Sequence, residues 1–186
     1  MTNFVYKNSK DVRKETDDHP IFIGPMFLHW EGFFLTYNPF FAHIKARMQE
    51  SIERVQLRIG SDDEGDLTKT LDNVFPTAQR LLCTKHIKDN VSDHLKNSIG
   101  VKDTERSEIL DSIFGQSGLV DSTDRNDFEC KAADISTKYP SFSGYFHTKL
   151  KDRLYQYVFL PRFQLQHESL WTNNNCESVN HVFKKP

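Results

Sequence analysis

The chain has 186 residues, a length that fits one domain at roughly 150 residues per domain. Hydrophobic residues make up 37% and aromatic residues 12%, which is enough apolar material for a core and excludes a chain disordered throughout. The 24 Lys and Arg nearly balance the 26 Asp and Glu, for a formal net charge of −2. This balance excludes a global positive field, so any nucleic-acid binding needs a local basic patch or another domain.

Membrane insertion and secretion are not expected. The longest apolar run, Pro20 to Phe27, is far shorter than the about 18 residues that indicate a membrane span. The N-terminal segment lacks the apolar region of a secretory signal. The cysteines are odd in number and widely spaced, which is typical of reduced thiols in the nucleus or cytoplasm: Cys83, Cys130 and Cys176.

The first 53 residues contain two predicted strands and one predicted helix. The strands cover Thr2 to Asn8 and His19 to His29, where β-forming residues are frequent. Asn38 as N-cap and Pro39 at the first helical position predict a helix over Tyr37 to Glu53.

Strand and helix patterns alternate over the next 45 residues. Strands are predicted over Val55 to Gly60 and Gln79 to Cys83, with a short helix between them that ends at Pro76. A further helix is predicted over Thr84 to Ser98. This βαβα order is typical of an α/β layer with parallel strands.

Helical periodicity dominates from Asp103 onward. The predicted helices end at Gly115 or cover Phe128 to Tyr139 and Phe142 to Leu160. We therefore expect a single domain over 1–186, with an α/β part over 1–100, an all-helical insertion over 101–170 and the start of a last helix over 171–186.

Asp62 is the first candidate for a site residue. It lies at the carboxyl end of a predicted strand, where open α/β sheets place their ligand sites. The alternative is that Ser61, Asp62 and Asp63 only cap the next helix and favour its dipole.

Cys83-x-x-His86 places a thiol at a strand end and an imidazole about one turn into the next helix. A zinc site needs four protein ligands, or three and a water. His94, Cys176 and His181 could complete such a site only through folding, so zinc is not expected. The alternative is that Cys83 packs in the sheet while His86 caps the helix or forms a hydrogen bond.

The segment from Trp171 to Lys184, W-T-N-N-N-C-E-S-V-N-H-V-F-K, predicts a helix with Glu177 near its start. Glu177 is either a favourable first-turn acid of a capping motif or a carboxylate that faces a metal. The pattern leaves both open.

Four blocks together resemble the Mutator-like (MULE) transposase domain of the DDE transposase superfamily, over about His19 to Lys184. They are H-P-I-F-I-G-P-M-F-L-H, I-G-S-D-D-E-G-D-L, F-P-T-A-Q-R-L-L-C-T-K-H-I-K-D-N and W-T-N-N-N-C-E-S-V-N-H-V-F-K, in the order of the family. The resemblance implies an RNase H-like fold and Mg²⁺-dependent DNA strand cleavage and transfer, the basis of DNA transposition and recombination. In such enzymes three acidic residues hold two Mg²⁺ or Mn²⁺ ions.

The resemblance implies that Asp62 is the second catalytic acid and Glu177 the third, both as metal ligands. Cys83 and His86 match the Cys/His signature of the family, and no chemistry is assigned to them. The V-D-x-T-F type of segment that carries the first acid has no match in this sequence.

The expected fold is therefore α/β, an RNase H-like mixed sheet without its first strand and with a helical insertion before the last helix. We expect an inactive fragment of a transposase catalytic domain that meets DNA through an upstream domain, in the nucleus or cytoplasm. The alternative is a domesticated, non-catalytic remnant that binds DNA or protein. Self-association is also expected, through the unpaired edge of the strand over Thr2 to Asn8.

Overall fold

The computed structural model describes residues 32–52, 57–165 and 170–172. The two strands predicted over residues 2–8 and 19–29 lie outside this part of the chain, as does the helix predicted after Thr172. Within the described ranges, no helix combines the length and the apolar composition that crossing a membrane requires.

The first helix, α1, covers Phe34–Ile52, so the predicted start at Asn38 and Pro39 is wrong. Pro39 lies inside the helix, where it removes one backbone hydrogen bond. Contacts from the first turn of α1 to residues distant in sequence explain the earlier start. The Phe34 amide donates to Asp66 Oδ2 at 3.4 Å, and the Tyr37 hydroxyl donates to Glu64 Oε1 at 2.9 Å. Tertiary contacts have outweighed the local capping signal.

Two strands pair in parallel, as the βα alternation predicts. Strand β1 is Arg58–Ser61 and strand β2 is Gln79–Leu82, with the helix α2, Gly65–Val74, between them in the chain. The register aligns Ser61 with Leu82, so the residues that follow the two strands lie at the same edge of the sheet. This edge is called the carboxyl edge below. The described part of the chain thus has a mixed α/β fold that is mostly helical, and the RNase H-like sheet stays a prediction.

Helix α2 covers one face of the sheet with a small apolar cluster. Leu71, Val74 and Phe75 are buried there, and Phe41 of α1 packs against them. The Lys45 ammonium group donates to the Val74 carbonyl at 2.6 Å, which adds a polar contact between α1 and α2.

The helical region predicted after residue 101 is present. Helix α3 runs into a π-helical turn, Leu95–Ile99. A second π turn, Phe146–Leu150, and a third, Tyr155–Phe159, interrupt the last long helical run. The regular helices are α3 Thr84–His94, α4 Asp103–Phe114, α5 Arg125–Lys138, α6 Pro140–Tyr145, α7 Lys151–Leu154 and α8 Leu160–Leu165. A 3₁₀ turn, Leu119–Asp121, follows α4.

The π turns explain how one face of the run from α6 to α8 stays buried. Five of its buried residues recur every four positions, and Phe159 is buried beside the last of them: Phe142, Phe146, Leu150, Leu154 and Val158. In a continuous α-helix a step of four residues overshoots one turn by about 40°, so such a row would drift around the helix. The wider π turns remove part of this drift and hold the row against the core.

One large core joins the sheet to the helical region. Leu82 of β2 and Ile87 and Val91 of α3 belong to the same buried cluster as Ile113 of α4 and Phe146. The helices after residue 101 therefore pack directly on the elements that carry the candidate site.

Candidate functional site

Asp62 follows β1 directly and lies at the carboxyl edge. The N-cap residue of α2 is Glu64, and its side chain makes no capping hydrogen bond. Asp62 stands two positions before that cap. The sequence prediction that Asp62 ends a strand is confirmed.

Cys83 lies beside Asp62 because the two strands are parallel and in register. Its amide donates to the Ser61 carbonyl at 3.0 Å, which extends the ladder by one bond past the strand ends. Cys83 is the N-cap residue of α3, and its carbonyl accepts from the Ile87 amide at 3.1 Å. Its side chain is fully buried. Backbone hydrogen bonds on both sides thus fix the position of this thiol.

His86 completes a three-residue cluster. One ligand atom from each of Asp62, Cys83 and His86 lies within 4.8 Å of the others. His86 Nδ1 lies 3.1 Å from Asp62 Oδ1. The Asp62 and His86 side chains are 43% and 32% exposed, so solvent reaches two of the three groups while Cys83 stays buried.

Asp63, the residue after Asp62, is held by the helical region. Its carboxylate forms an ion pair with the Arg153 guanidinium of α7 and lies 3.4 Å from Asn90 Nδ2 of α3. Burial lowers the pKa of Arg153. Sequence reasoning missed this pair, because no local pattern connects Asp63 to a helix so distant along the chain.

Glu64 connects the same loop to α1. The Tyr37 hydroxyl lies 2.9 and 3.1 Å from the two Glu64 carboxylate oxygens. Burial and this acceptor raise the pKa of Tyr37 to about 12. The loop after β1 is therefore fastened on both sides of the candidate site, by α1 through Tyr37 and by α7 through Arg153.

The segment that leads to Glu177 is anchored at the carboxyl edge. The Trp171 carbonyl accepts from the Thr84 amide at 3.1 Å and from the Thr84 hydroxyl at 3.0 Å. The indole ring lies on the backbone of Gly60, where a β-carbon would overlap it. Trp171 is thus positioned between the strand that precedes Asp62 and the helix that follows Cys83.

The other candidate residues are not part of the described cluster. His94 lies two turns beyond His86 on α3, and its ring stacks on Tyr145 with centroids 3.8 Å apart. It therefore does not complete a metal site with Cys83. Glu177, Cys176 and His181 lie outside the described residues.

The donor atoms in the cluster decide which metal ions suit it. Mg²⁺ and Mn²⁺ are held mainly by oxygen ligands, which among the three side chains only Asp62 supplies. Asp62 is therefore the one side chain of the cluster that supplies the donor type these ions select. The Cys83 thiol and His86 imidazole are softer donors that Mg²⁺ does not select.

Comparison with known proteins gives one family match. The family described as "Transposase, Mutator family" matches residues 35–186. No curated protein and no solved structure matches the chain. The matched range contains α1 from Leu35 onward, both strands, the cluster of Asp62, Cys83 and His86, the helical region and Glu177. Because the match covers most of the sequence, the chain belongs to the Mutator family of transposases.

Proposed function

We propose that the chain is part of a DDE-type transposase catalytic domain that binds Mg²⁺ or Mn²⁺ for DNA strand cleavage and transfer. Asp62 and Glu177 are the two metal-binding carboxylates that the chain supplies, on an RNase H-like sheet. The observation that supports this most is the convergence at the carboxyl edge. Asp62 leaves β1 there, and Thr84 holds Trp171 at the same edge.

The short segment between Trp171 and Glu177 is long enough for Glu177 to reach Asp62. Glu177 follows Trp171 by six residues, and six residues span at most about 20 Å when fully extended. A helical segment covers about 9 Å over the same number. The anchor at Thr84 therefore supports the proposal that Glu177 meets Asp62, although the two carboxylates are far apart in sequence.

The neighbours of Asp62 give its carboxylate a defined direction. His86 approaches Oδ1 to 3.1 Å, and the adjacent Asp63 is held by Arg153. An oriented carboxylate loses less conformational freedom when it binds a cation. When bound, Mg²⁺ or Mn²⁺ would activate a water or 3′-hydroxyl and stabilise the leaving oxygen of the phosphodiester.

The near-neutral net charge of the chain limits its electrostatic attraction to DNA. A net charge of −2 gives little general attraction to phosphates. We propose that a further DNA-binding region of the transposase supplies most of the affinity and that the carboxyl edge supplies the metal site.

Binding of Mn²⁺, followed by electron paramagnetic resonance, tests the proposal on the purified chain. Asp62→Asn and Glu177→Gln should each lower the affinity about tenfold or more, because each removes one of two shared ligands. Asp89→Asn is the matched control, since Asp89 is an exposed carboxylate on α3. Mn²⁺ binding that is insensitive to both site variants would contradict the proposal.

Supercoiled plasmid provides the second readout. Any nicking that the purified chain shows in Mn²⁺ should disappear in both Asp62→Asn and Glu177→Gln and persist in Asp89→Asn. Nicking that survives in the two site variants would show that the strand-cleaving site lies elsewhere.

A further inference from the structure

We propose that Asp62, Cys83 and His86 form a binding site for a thiophilic divalent cation of the Zn²⁺ class. The site has three protein ligands and an open fourth position. It is independent of the Glu177 part of the proposed function, although both use the Asp62 carboxylate.

The chemical identity of the donors is the first argument. A thiolate, an imidazole nitrogen and a carboxylate oxygen are the three ligand types that proteins use for Zn²⁺. Sites with three protein ligands and one open position are the catalytic type of zinc centre. The sequence alone offers only Cys83 and His86 within one turn. The parallel register of β1 and β2 adds Asp62 as the third ligand.

The distances are the second argument. Ligand bonds of roughly 2.0–2.3 Å to Zn²⁺ place tetrahedral ligand atoms about 3.5 Å apart. The three atoms already lie within 4.8 Å of one another, with 3.1 Å between His86 Nδ1 and Asp62 Oδ1. Small rotations of the half-exposed Asp62 and His86 side chains would bring them to an ion beside the buried thiol.

The backbone around Cys83 is the third argument. Hydrogen bonds from Cys83 to Ser61 and from Ile87 to Cys83 hold the thiol in place before any ion binds. Cys83 also stands at the N-terminus of α3, where the helix dipole favours a negatively charged ligand. The Asp62 side chain is 43% exposed, which leaves an entrance for the ion on its side of the cluster.

A shared Asp62 makes the two kinds of ion compete. An ion bound by Cys83 and His86 engages the carboxylate that Mg²⁺ or Mn²⁺ would use. We therefore expect that Zn²⁺ weakens Mn²⁺ binding at the carboxyl edge.

Titration of the purified, reduced chain with Co²⁺ tests this site directly. Cobalt bound to a cysteine thiolate gives a near-ultraviolet charge-transfer band that reports the sulfur ligand without any activity measurement. We expect one equivalent of Co²⁺ with this band, displaced by Zn²⁺. Cys83→Ser should abolish the band, whereas Cys130→Ser, which alters an exposed cysteine on α5, should keep it.

A second variant guards against misfolding of Cys83→Ser, whose side chain is buried. His86 is half-exposed, so His86→Gln should fold, and we expect it to lower Co²⁺ affinity about tenfold or more. A missing band in the unaltered chain, a band that remains in Cys83→Ser, or unchanged affinity in His86→Gln would each overturn the proposal. Such a result leaves the Mn²⁺ experiment intact, because that experiment depends on Glu177 and this one on Cys83.

Discussion

The Asp63 carboxylate and the Arg153 guanidinium form an ion pair between the carboxyl edge and helix α7. The two side chains differ in environment, since that of Asp63 is 5% exposed and that of Arg153 is 42% exposed. Asp63 is adjacent in sequence to Asp62, so this pair fixes the backbone next to the candidate metal ligand. The helical region therefore acts on the site through a specific polar contact as well as through the shared core.

Removing either member of this pair should have unequal effects. Arg153→Met leaves a buried carboxylate without its cation, and we expect a loss of about 2–3 kcal/mol in the free energy of unfolding. Asp63→Asn leaves a half-exposed guanidinium that water can solvate, and we expect about 1 kcal/mol. Urea denaturation measures both, with the exposed Lys149→Met as control. A larger loss in Asp63→Asn would contradict the argument.

Arg80 should not tolerate replacement by lysine. Its buried guanidinium contacts Asp72 Oδ1 at 2.7 Å, Ser61 Oγ at 3.0 Å and the Thr68 carbonyl at 3.2 Å, and burial lowers its pKa. An ammonium group cannot reproduce these directions, so Arg80→Lys should cost about 2 kcal/mol in urea unfolding.

Arg58 on β1 provides the comparison for this change, because it is exposed. Arg58→Lys should alter the free energy of unfolding by less than about 0.5 kcal/mol. Equal effects of the two substitutions would show that the buried contacts of Arg80 contribute little.

Gly60→Ala should displace Trp171 from the sheet, because the new β-carbon overlaps the indole ring. In a Trp30→Phe background Trp171 is the single tryptophan, and its fluorescence should shift to longer wavelength as the ring meets water. Gly65→Ala is the matched control, since nothing lies within 4 Å of a β-carbon there. An unchanged emission in Gly60→Ala would mean that the ring does not rest on this strand.

Asp127 should stabilise the chain only above acidic pH. Bonds from the Lys131 ammonium group and the Thr123 amide, both at 2.9 Å, lower the pKa of Asp127 below its ordinary 3.8. A lowered folded-state pKa gives stability that is present above pH 3.8 and is lost as the pH falls through the folded-state value. Asp127→Asn should thus be less stable than the unaltered chain at neutral pH, and the difference should vanish in acid.

Unfolding curves measured from neutral to acidic pH check the direction in which the stability contributed by Asp127 changes. Asp134→Asn, an exposed carboxylate of the same helix, should give a pH dependence parallel to that of the unaltered chain. A difference between Asp127→Asn and the unaltered chain that grows towards low pH would contradict the assignment.

Local patterns predicted the elements whose boundaries depend on nearby residues. Gly115 ends α4 as expected, and the two strands are parallel. The predicted start of α1 was wrong, because Glu64 and Asp66, which are distant in sequence, hold the turn before Pro39 in a helical conformation. The π turns went unpredicted, although the spacing of four between the buried residues Phe142 to Val158 is the signal that points to them.

The candidate site could be predicted in part. Asp62 follows one predicted parallel strand and Cys83 ends the other, so aligning the strand ends would have placed them side by side. From the sequence, the further candidate zinc ligands were His94, Cys176 and His181. The Asp63 to Arg153 pair depends on where α7 lies relative to the loop after β1, which no periodicity along the chain encodes.

The bond between Thr84 and the Trp171 carbonyl also sets the order in which the carboxyl edge is assembled. The two residues are 87 positions apart, and the helices that separate them share a core with Leu82 and Ile87. During synthesis β1, β2 and α3 emerge early, but Trp171 reaches Thr84 only after all the intervening helices have been made. Since distant contacts form at a high loop-closure cost, docking of this segment should be a late folding step. The contact between Trp171 and the carboxyl edge therefore exists only once the helical region has folded.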